Sequence, residues 1–220
     1  MRNLIPVVAV LSSLVTAPLG AQTCLGFPAF SGGKLALGGS VSSGNNASEL
    51  AATLTIGSGG GAFGGASLGR TEFDNSTNSA MSLGVNLGFE IQSQPTTGFT
   101  LCPAGSFTRV FGPDFSVAGV ETESNGTMIT GGATFGSSFK MTDGFSWIPF
   151  GGASFVHLRT SQETAGVETS NTENYLGVSG GLGMSFNGTL TLTPSVVVPF
   201  GLEGADPVFT LAVRFNLGKR

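Results

Sequence analysis

Residues 80–92, AMSLGVNLGFEIQ, alternate between large apolar side chains and small or polar ones. The apolar set shares one parity and comprises Met81, Leu83, Val85, Leu87, Phe89 and Ile91. A period of two is the pattern of a β-strand whose two faces meet different environments. The other parity is mostly glycine and small polar residues, whereas a sheet face in water would carry long charged side chains. We therefore expect the apolar face to contact lipid and the small face to line the inside of a barrel.

Composition favours a lipid environment. Only 10% of the 220 residues are charged, 36 are glycine, and the mean hydropathy is positive, whereas soluble domains have about 25% charged residues. No apolar run is long enough for a transmembrane helix. Abundant Phe, Leu and Val exclude a disordered chain, and the absence of basic clusters argues against a nucleic-acid partner. A soluble glycine-rich β-solenoid or sandwich is the alternative.

The N-terminus has the layout of a secretory signal peptide over residues 1–21. Arg2 precedes the apolar run LIPVVAVLSSLV and the small-residue stretch TAPLGA, the order found in such leaders. We expect residues 22–32 to form a periplasmic segment, residues 33–217 the barrel, and residues 218–220 a short tail.

Ten stretches show strand-type alternation bounded by turn residues. They lie at 33–42, 49–57, 61–71, 79–92, 98–110, 126–140, 145–159, 173–187, 189–200 and 207–217. Most are about ten residues long, the length a tilted strand needs to cross a bilayer. The sequence predicts an all-β fold, an antiparallel up-and-down transmembrane β-barrel of about ten strands, with eight as the alternative.

The connections alternate in length. Those after even-numbered strands are short, and one is Asn187-Gly188, a type I′ hairpin signal. Those after odd-numbered strands are longer and polar, such as FGPDFSVAGVETESNG and SQETAGVETSNT. Short turns on one rim and long loops on the other indicate an outer-membrane barrel with both termini in the periplasm.

The acidic residues concentrate in those long loops. Eleven of the 13 lie in or beside them: Glu49, Glu72, Asp74, Asp114, Glu121, Glu123, Glu163, Glu168, Glu173, Glu203 and Asp206. We expect a negative extracellular mouth that favours cations over anions.

The strands, the asymmetry of the turns and the closing VFTLAVRFNLGKR resemble small bacterial outer-membrane β-barrels of the outer-membrane protein A type, over roughly residues 30–217. The resemblance implies location in the bacterial outer membrane, outer-membrane lipids as partners and insertion by the barrel assembly machinery. It transfers no functional residue and leaves the oligomeric state open.

Several charged side chains have the parity of the barrel interior. Lys34, Glu90, Lys140 and Arg214 are expected to form a charge network centred on Glu90, because charges in a narrow interior must be paired. The network is either structural or a gate. His157 and Arg159 are weaker candidates for the lumen, and Arg109 is expected on the lipid side, where it could pair with a lipid phosphate.

The two cysteines, Cys24 and Cys102, form an even number in an exported chain and predict one disulfide. Two unpaired core cysteines are the alternative. A bridge would hold residues 22–32 beneath or inside the barrel.

The expected function is a structural or surface-interaction role with acidic extracellular loops. A narrow channel for cations or small solutes is one alternative, and a hydrolase that uses His157 is another. We expect no enzyme activity, because no zinc-type cluster, calcium loop or phosphate-binding loop followed by a helix is present in the sequence. For the same reasons we expect no cofactor and no bound metal.

Overall fold

A computed structural model describes residues 35–44, 47–58, 60–74, 78–92, 99–113, 115–117, 120–202 and 204–217. The predicted signal peptide, the 22–32 segment and the 218–220 tail lie outside this part of the chain, so these assignments stay predictions. In the described residues no helix is long and apolar enough to cross a membrane.

Ten long strands form one antiparallel sheet. They are β1 (Leu35–Gly44), β2 (Ala47–Gly57), β3 (Ala62–Phe73), β4 (Ser79–Phe89), β5 (Phe99–Phe111), β6 (Val120–Ser137), β7 (Phe145–Thr164), β8 (Val167–Phe186), β9 (Leu190–Phe200) and β10 (Val208–Asn216). Three short strand segments, Ile91–Gln92, Phe115–Val117 and Phe139–Thr142, pair with β5, β6 and β7 near the ends of these strands.

The sheet closes on itself. Each strand pairs with the next along the chain, and β10 pairs with β1 over Ala36↔Asn216 to Ser43↔Phe209. The predicted up-and-down barrel is therefore confirmed, with ten strands. We call the end that carries the connections after β1, β3, β5, β7 and β9 the upper rim, and the opposite end the lower rim.

The two faces of the sheet differ as predicted. In β4, Leu87 is 71% exposed on the outside, whereas Ala80, Ser82 and Asn86 are buried on the inside. Outward-facing Leu, Val, Ile and Phe continue around all ten strands. This ring of exposed apolar side chains is called the apolar belt, and an exposed apolar surface of this extent needs hydrocarbon rather than water around it.

Strands β6, β7 and β8 extend beyond the other seven at the upper rim. They contain 18, 20 and 20 residues, against 9–13 for the others. Two stretches predicted as long loops are thus largely strand, and that part of the prediction is wrong. Their Thr and Val residues suit strands, and a tight turn at Ala165 and Gly166, both with positive φ, joins β7 to β8. The protruding residues 120–126, 160–164 and 167–171 are called the upper sheet.

The lower rim carries the predicted hairpin between β8 and β9. Asn187 and Gly188 have φ of 52° and 65°, the left-handed conformation that a type I′ turn requires. The Asn187 amide donates a hydrogen bond of 2.7 Å to the Gly144 carbonyl, which ties this turn to the neighbouring one.

Candidate functional site

Two opposite charges meet inside the lower half of the barrel. Glu90 follows β4 and is 6% exposed, and Arg214 projects inward from β10 and is 4% exposed. Their side chains interact electrostatically, as buried charges require. The structure thus brings together two of the four predicted network residues. Lys34 lies outside the described residues.

Lys140 is not part of this network, and its predicted position in the lumen is wrong. Its side chain is exposed and forms an ion pair of 2.8 Å with Asp143 in the turn before β7. Register pairs Gly136 with Phe150 and Lys140 with Ser146 without a shift between them, so Lys140 keeps the inward parity counted from β6. It lies outside the lumen because it is at the lower rim, where residues 138–143 are all exposed.

An apolar cluster fills the upper half of the lumen. It consists of inward-facing side chains from seven strands: Ala47, Phe73, Ala80, Val110, Met128, Val156, Leu158 and Tyr175. We call this group the lumen cluster. Leu202, from the connection between β9 and β10, packs against it from the upper rim. An open conduit would need water in this part of the lumen, and the apolar side chains of the cluster occupy it instead.

The sequence analysis missed the lumen cluster, although a signal for it was present. Residues 155–158 are apolar at both parities, through Phe155 outside and Val156 and Leu158 inside. A strand segment that is apolar on both faces contacts apolar groups on both, which here are lipid and the cluster.

Inward-facing glycines make room for aromatic rings. A Cβ atom on Gly181 would lie 2.6 Å from the Phe150 ring, and one on Gly88 would overlap the Phe63 ring. At these two positions, the space that a glycine leaves on one strand is occupied by an aromatic ring of the adjacent strand. A cavity beside Cys102 has a volume of only about 20 Å³, about enough for one water molecule.

The buried acid Glu49 also belongs to the interior. It was predicted among the acids of the loops, but it faces the lumen from β2 and is 7% exposed. The Ser82 hydroxyl donates a hydrogen bond of 3.4 Å to its carboxylate. Asp114 and Glu203 lie outside the described residues, as does the side chain of Glu121.

The upper sheet carries a row of acids on its outward face. Glu123, Glu163 and Glu168 are directly paired across β6, β7 and β8 on the outward face. Glu173 faces inward just below the upper sheet, opposite Leu158 of the lumen cluster, and its carboxylate accepts a hydrogen bond of 3.1 Å from the Asn171 side chain. The negative charge of this rim thus resides largely on strands.

His157 and Arg159 face outward, and their predicted position in the lumen is wrong. Both share the parity of Phe155, which is 54% exposed, whereas Val156 and Leu158 between them are buried. The His157 Nδ1 atom lies 2.8 Å from the Asn174 Oδ1 atom on the outer surface. The apolar residues Val156 and Leu158 face inward because they belong to the lumen cluster. Assigning the apolar residues of this segment to the lipid side therefore placed His157 and Arg159 on the wrong face.

Arg109 also faces outward, next to Arg159. Register pairs Arg109 of β5 with Thr127 of β6, and Thr127 with Arg159 of β7. The Arg109 guanidinium donates a hydrogen bond of 2.7 Å to the Thr127 hydroxyl and lies 5.9 Å from the centre of the Phe111 ring. These three residues, Arg109, Thr127 and Arg159, are called the rim patch.

Cys102 faces the lumen and is 1% exposed. The described residues contain no free cysteine, but Cys24 lies outside them, so the predicted bridge stays a prediction. In the same residues no group of three or more His, Cys, Asp or Glu side chains could hold a metal ion.

A closed ten-stranded antiparallel barrel with an apolar outside and a polar or packed inside is a transmembrane β-barrel of the bacterial outer-membrane type. Solved structures of other proteins are similar to this chain. The translocator domain of autotransporter NalP from Neisseria meningitidis matches with TM-score 0.52 and 14% identity, over 84% of this chain and 86% of that one. The N-terminal β-barrel domain of Pseudomonas aeruginosa OprF matches with TM-score 0.42 and 13% identity, over 84% and 99%. Ail, the attachment invasion locus protein of Yersinia pestis, matches with TM-score 0.37 and 14% identity, over 84% and 95%.

At 14% identity, the match to the NalP translocator domain concerns the fold alone. No protein-family model matches the sequence, and no curated protein matches it.

Proposed function

We propose that the protein is a closed barrel of the bacterial outer membrane that carries the upper sheet outside the cell as an interaction surface. The observation that carries the proposal is the lumen cluster, whose Val110, Met128, Val156 and Leu158 are at most 1% exposed. Small barrels are commonly filled by their own side chains. A filled interior favours a structural or surface role over conduction.

The upper sheet supports the surface role. Residues beyond the apolar belt are not needed to cross the membrane, yet β7 and β8 remain paired up to Thr164↔Val167. The outward row of Glu123, Glu163 and Glu168 opposes like charges directly across strands, an arrangement that lowers stability. An ordered, acidic sheet outside the membrane suits contact with partners that carry positive charge.

A planar bilayer tests the closed lumen. Purified protein, folded in detergent and inserted into the bilayer, is expected to give no steady current. Insertion is verified in matched vesicles by the faster gel migration of unboiled protein. Uniform cation-selective steps would support the narrow channel and contradict the proposal.

Labelling of intact cells tests location and orientation. A short epitope inserted between Ala165 and Gly166, at the tip of the upper sheet, is expected to bind antibody on intact cells. The matched variant carries the epitope between Asp143 and Gly144 at the lower rim and is expected to be labelled only after the outer membrane is permeabilised. Labelling of the lower turn alone would reverse the orientation, and labelling of neither site before full lysis would exclude the outer membrane.

A further inference from the structure

We propose that the rim patch binds the phosphoryl group of an anionic lipid, between the guanidinium groups of Arg109 and Arg159. The proposal rests on the membrane-spanning barrel, and it deepens the proposed function by naming a lipid partner and the residues that bind it.

Register places the two arginines close together. Arg109 and Arg159 flank Thr127 in one outward row across β5, β6 and β7. Adjacent strands lie about 4.8 Å apart, so the two Cα atoms are separated by about 10 Å. Two long side chains that start this far apart can converge on one phosphoryl group, and guanidinium groups match phosphate oxygens with paired hydrogen bonds.

Thr127 holds the Arg109 side chain of the patch in place. Its hydroxyl oxygen accepts the 2.7 Å hydrogen bond from Arg109, which leaves the hydroxyl proton available to a phosphate oxygen. The Phe111 ring, on the upper-rim side of Arg109, adds a cation–π contact to the same guanidinium. Arg109 is therefore positioned before any ligand binds.

The charge of the patch is not neutralised by the described part of the protein. Among those residues, neither Arg109 nor Arg159 forms an ion pair. By contrast, Arg70 on the outward face of β3 pairs with Glu72 at 3.3 Å, and Lys140 pairs with Asp143. Among the arginines that the structure describes, the two that face outward without an ion pair are thus the two that lie side by side.

The height of the patch matches that of lipid headgroups. One outward position closer to the membrane centre, the same three strands present Phe107, Ile129 and His157, followed on β7 by Phe155. Phe107, Ile129 and Phe155 are each about half exposed and belong to the apolar belt. A lipid whose acyl chains lie on this belt would place its phosphate at the patch. A soluble anion would lack the contact with the belt.

Native mass spectrometry from detergent micelles can test the proposal. The probes are phosphatidic acid, diacylglycerol with the same acyl chains, and inorganic phosphate as competitor. The variants are the double variant Arg109→Gln/Arg159→Gln and, as matched control, Arg70→Gln, which removes an outward rim arginine that already has an ion-pair partner. Heat-modifiable migration verifies that each variant is folded.

We expect the wild type to bind one phosphatidic acid in preference to diacylglycerol. The double variant should bind it at least about tenfold more weakly, equivalent to about 1.4 kcal/mol, while Arg70→Gln should change binding by less than about twofold. Equal affinity of the folded double variant and the wild type would overturn the proposal, as would an equal loss in Arg70→Gln. Displacement by inorganic phosphate as effective as by the lipid would show an anion site and overturn the lipid assignment.

The assay uses purified protein in micelles and is independent of orientation in the cell. Loss of the lipid-binding proposal in this assay therefore leaves the cell-labelling result unaffected. A negative cell-labelling result likewise leaves the lipid-binding result unaffected.

Discussion

Arginine substitutions along β4 should destabilise the barrel according to depth in the membrane. The outward positions are Met81, Leu83, Val85, Leu87 and Phe89, each 42–71% exposed on the protein surface. In a soluble protein, substitutions at such exposed positions change stability by about 0.5 kcal/mol or less. In hydrocarbon, each charged side chain must leave water, and the cost rises toward the bilayer centre.

The geometry of the strand gives the expected profile. Eight residue steps separate Met81 from Phe89, and at about 3.4 Å per step and a tilt of about 40° they span about 21 Å of depth. This is close to the apolar height of about 25 Å in such barrels. Val85→Arg, at the middle, should therefore cost about 2–4 kcal/mol, and Met81→Arg and Phe89→Arg about 0–1 kcal/mol.

Reversible urea unfolding in lipid vesicles measures these costs. The control is Ser170→Arg, an exposed outward position in the upper sheet, which should change the free energy of unfolding by about 0.5 kcal/mol or less. A profile without a maximum near Val85, or a cost there no larger than for Ser170→Arg, would refute a hydrocarbon environment for this face.

Two further substitutions probe the interior. Glu90→Gln should lower the free energy of unfolding by about 3–5 kcal/mol, because it leaves the Arg214 charge buried without its counter-ion. The double variant Glu90→Gln/Arg214→Gln should lose less stability than the sum of the two single variants. Additive losses in urea unfolding would contradict the interaction. Gly88→Ala should cost about 1–3 kcal/mol because its methyl group would overlap the Phe63 ring, whereas outward-facing Gly131→Ala, with no atom within 4 Å of the added carbon, should be close to neutral. Equal effects of the two alanines would argue against a filled lumen.

The barrel could be predicted from the sequence because strand periodicity is a local property. Alternation in residues such as 80–92 assigns one face to lipid without knowledge of any neighbour. The closing pair of β1 and β10 then follows from an even number of strands in an up-and-down order. The strand count of ten and the hairpin at Asn187-Gly188 were predicted on this basis.

The interior was harder to predict because alternation shows which residues of a strand share a face, but not which residues of other strands they contact. Val156 and Leu158 are apolar, and apolar character was taken as a sign of the lipid face, which reversed the assignment of His157. Only the register of seven strands shows that they meet Met128 and Tyr175 inside. Lys140 has the predicted inward parity, opposite Ser146, but it lies at the exposed lower rim, and alternation alone does not show where along a strand the closed interior ends.

The upper sheet was missed for a related reason. Polar residues beyond the belt look like loops when hydrophobic alternation is the criterion, since neither face of the protruding strands is apolar. The pairing of Glu163 with both Glu123 and Glu168 depends on strand register, which the polar pattern specifies weakly.

The central claim, that hydrocarbon surrounds the outside of the barrel, can be tested with the unsubstituted protein. Trp147 is the single tryptophan of the chain, and it has the outward parity of β7 near the lower rim, 5.5 Å from the Phe145 ring. Aromatic residues at this height form the interfacial girdle of membrane barrels.

Fluorescence of Trp147 in vesicles of brominated lipids is therefore the most direct measurement. The account predicts strong quenching by bromine near the headgroup end of the acyl chains, weaker quenching by bromine near the bilayer centre, and little quenching by aqueous iodide. Full quenching by iodide with no effect of brominated lipid would contradict it.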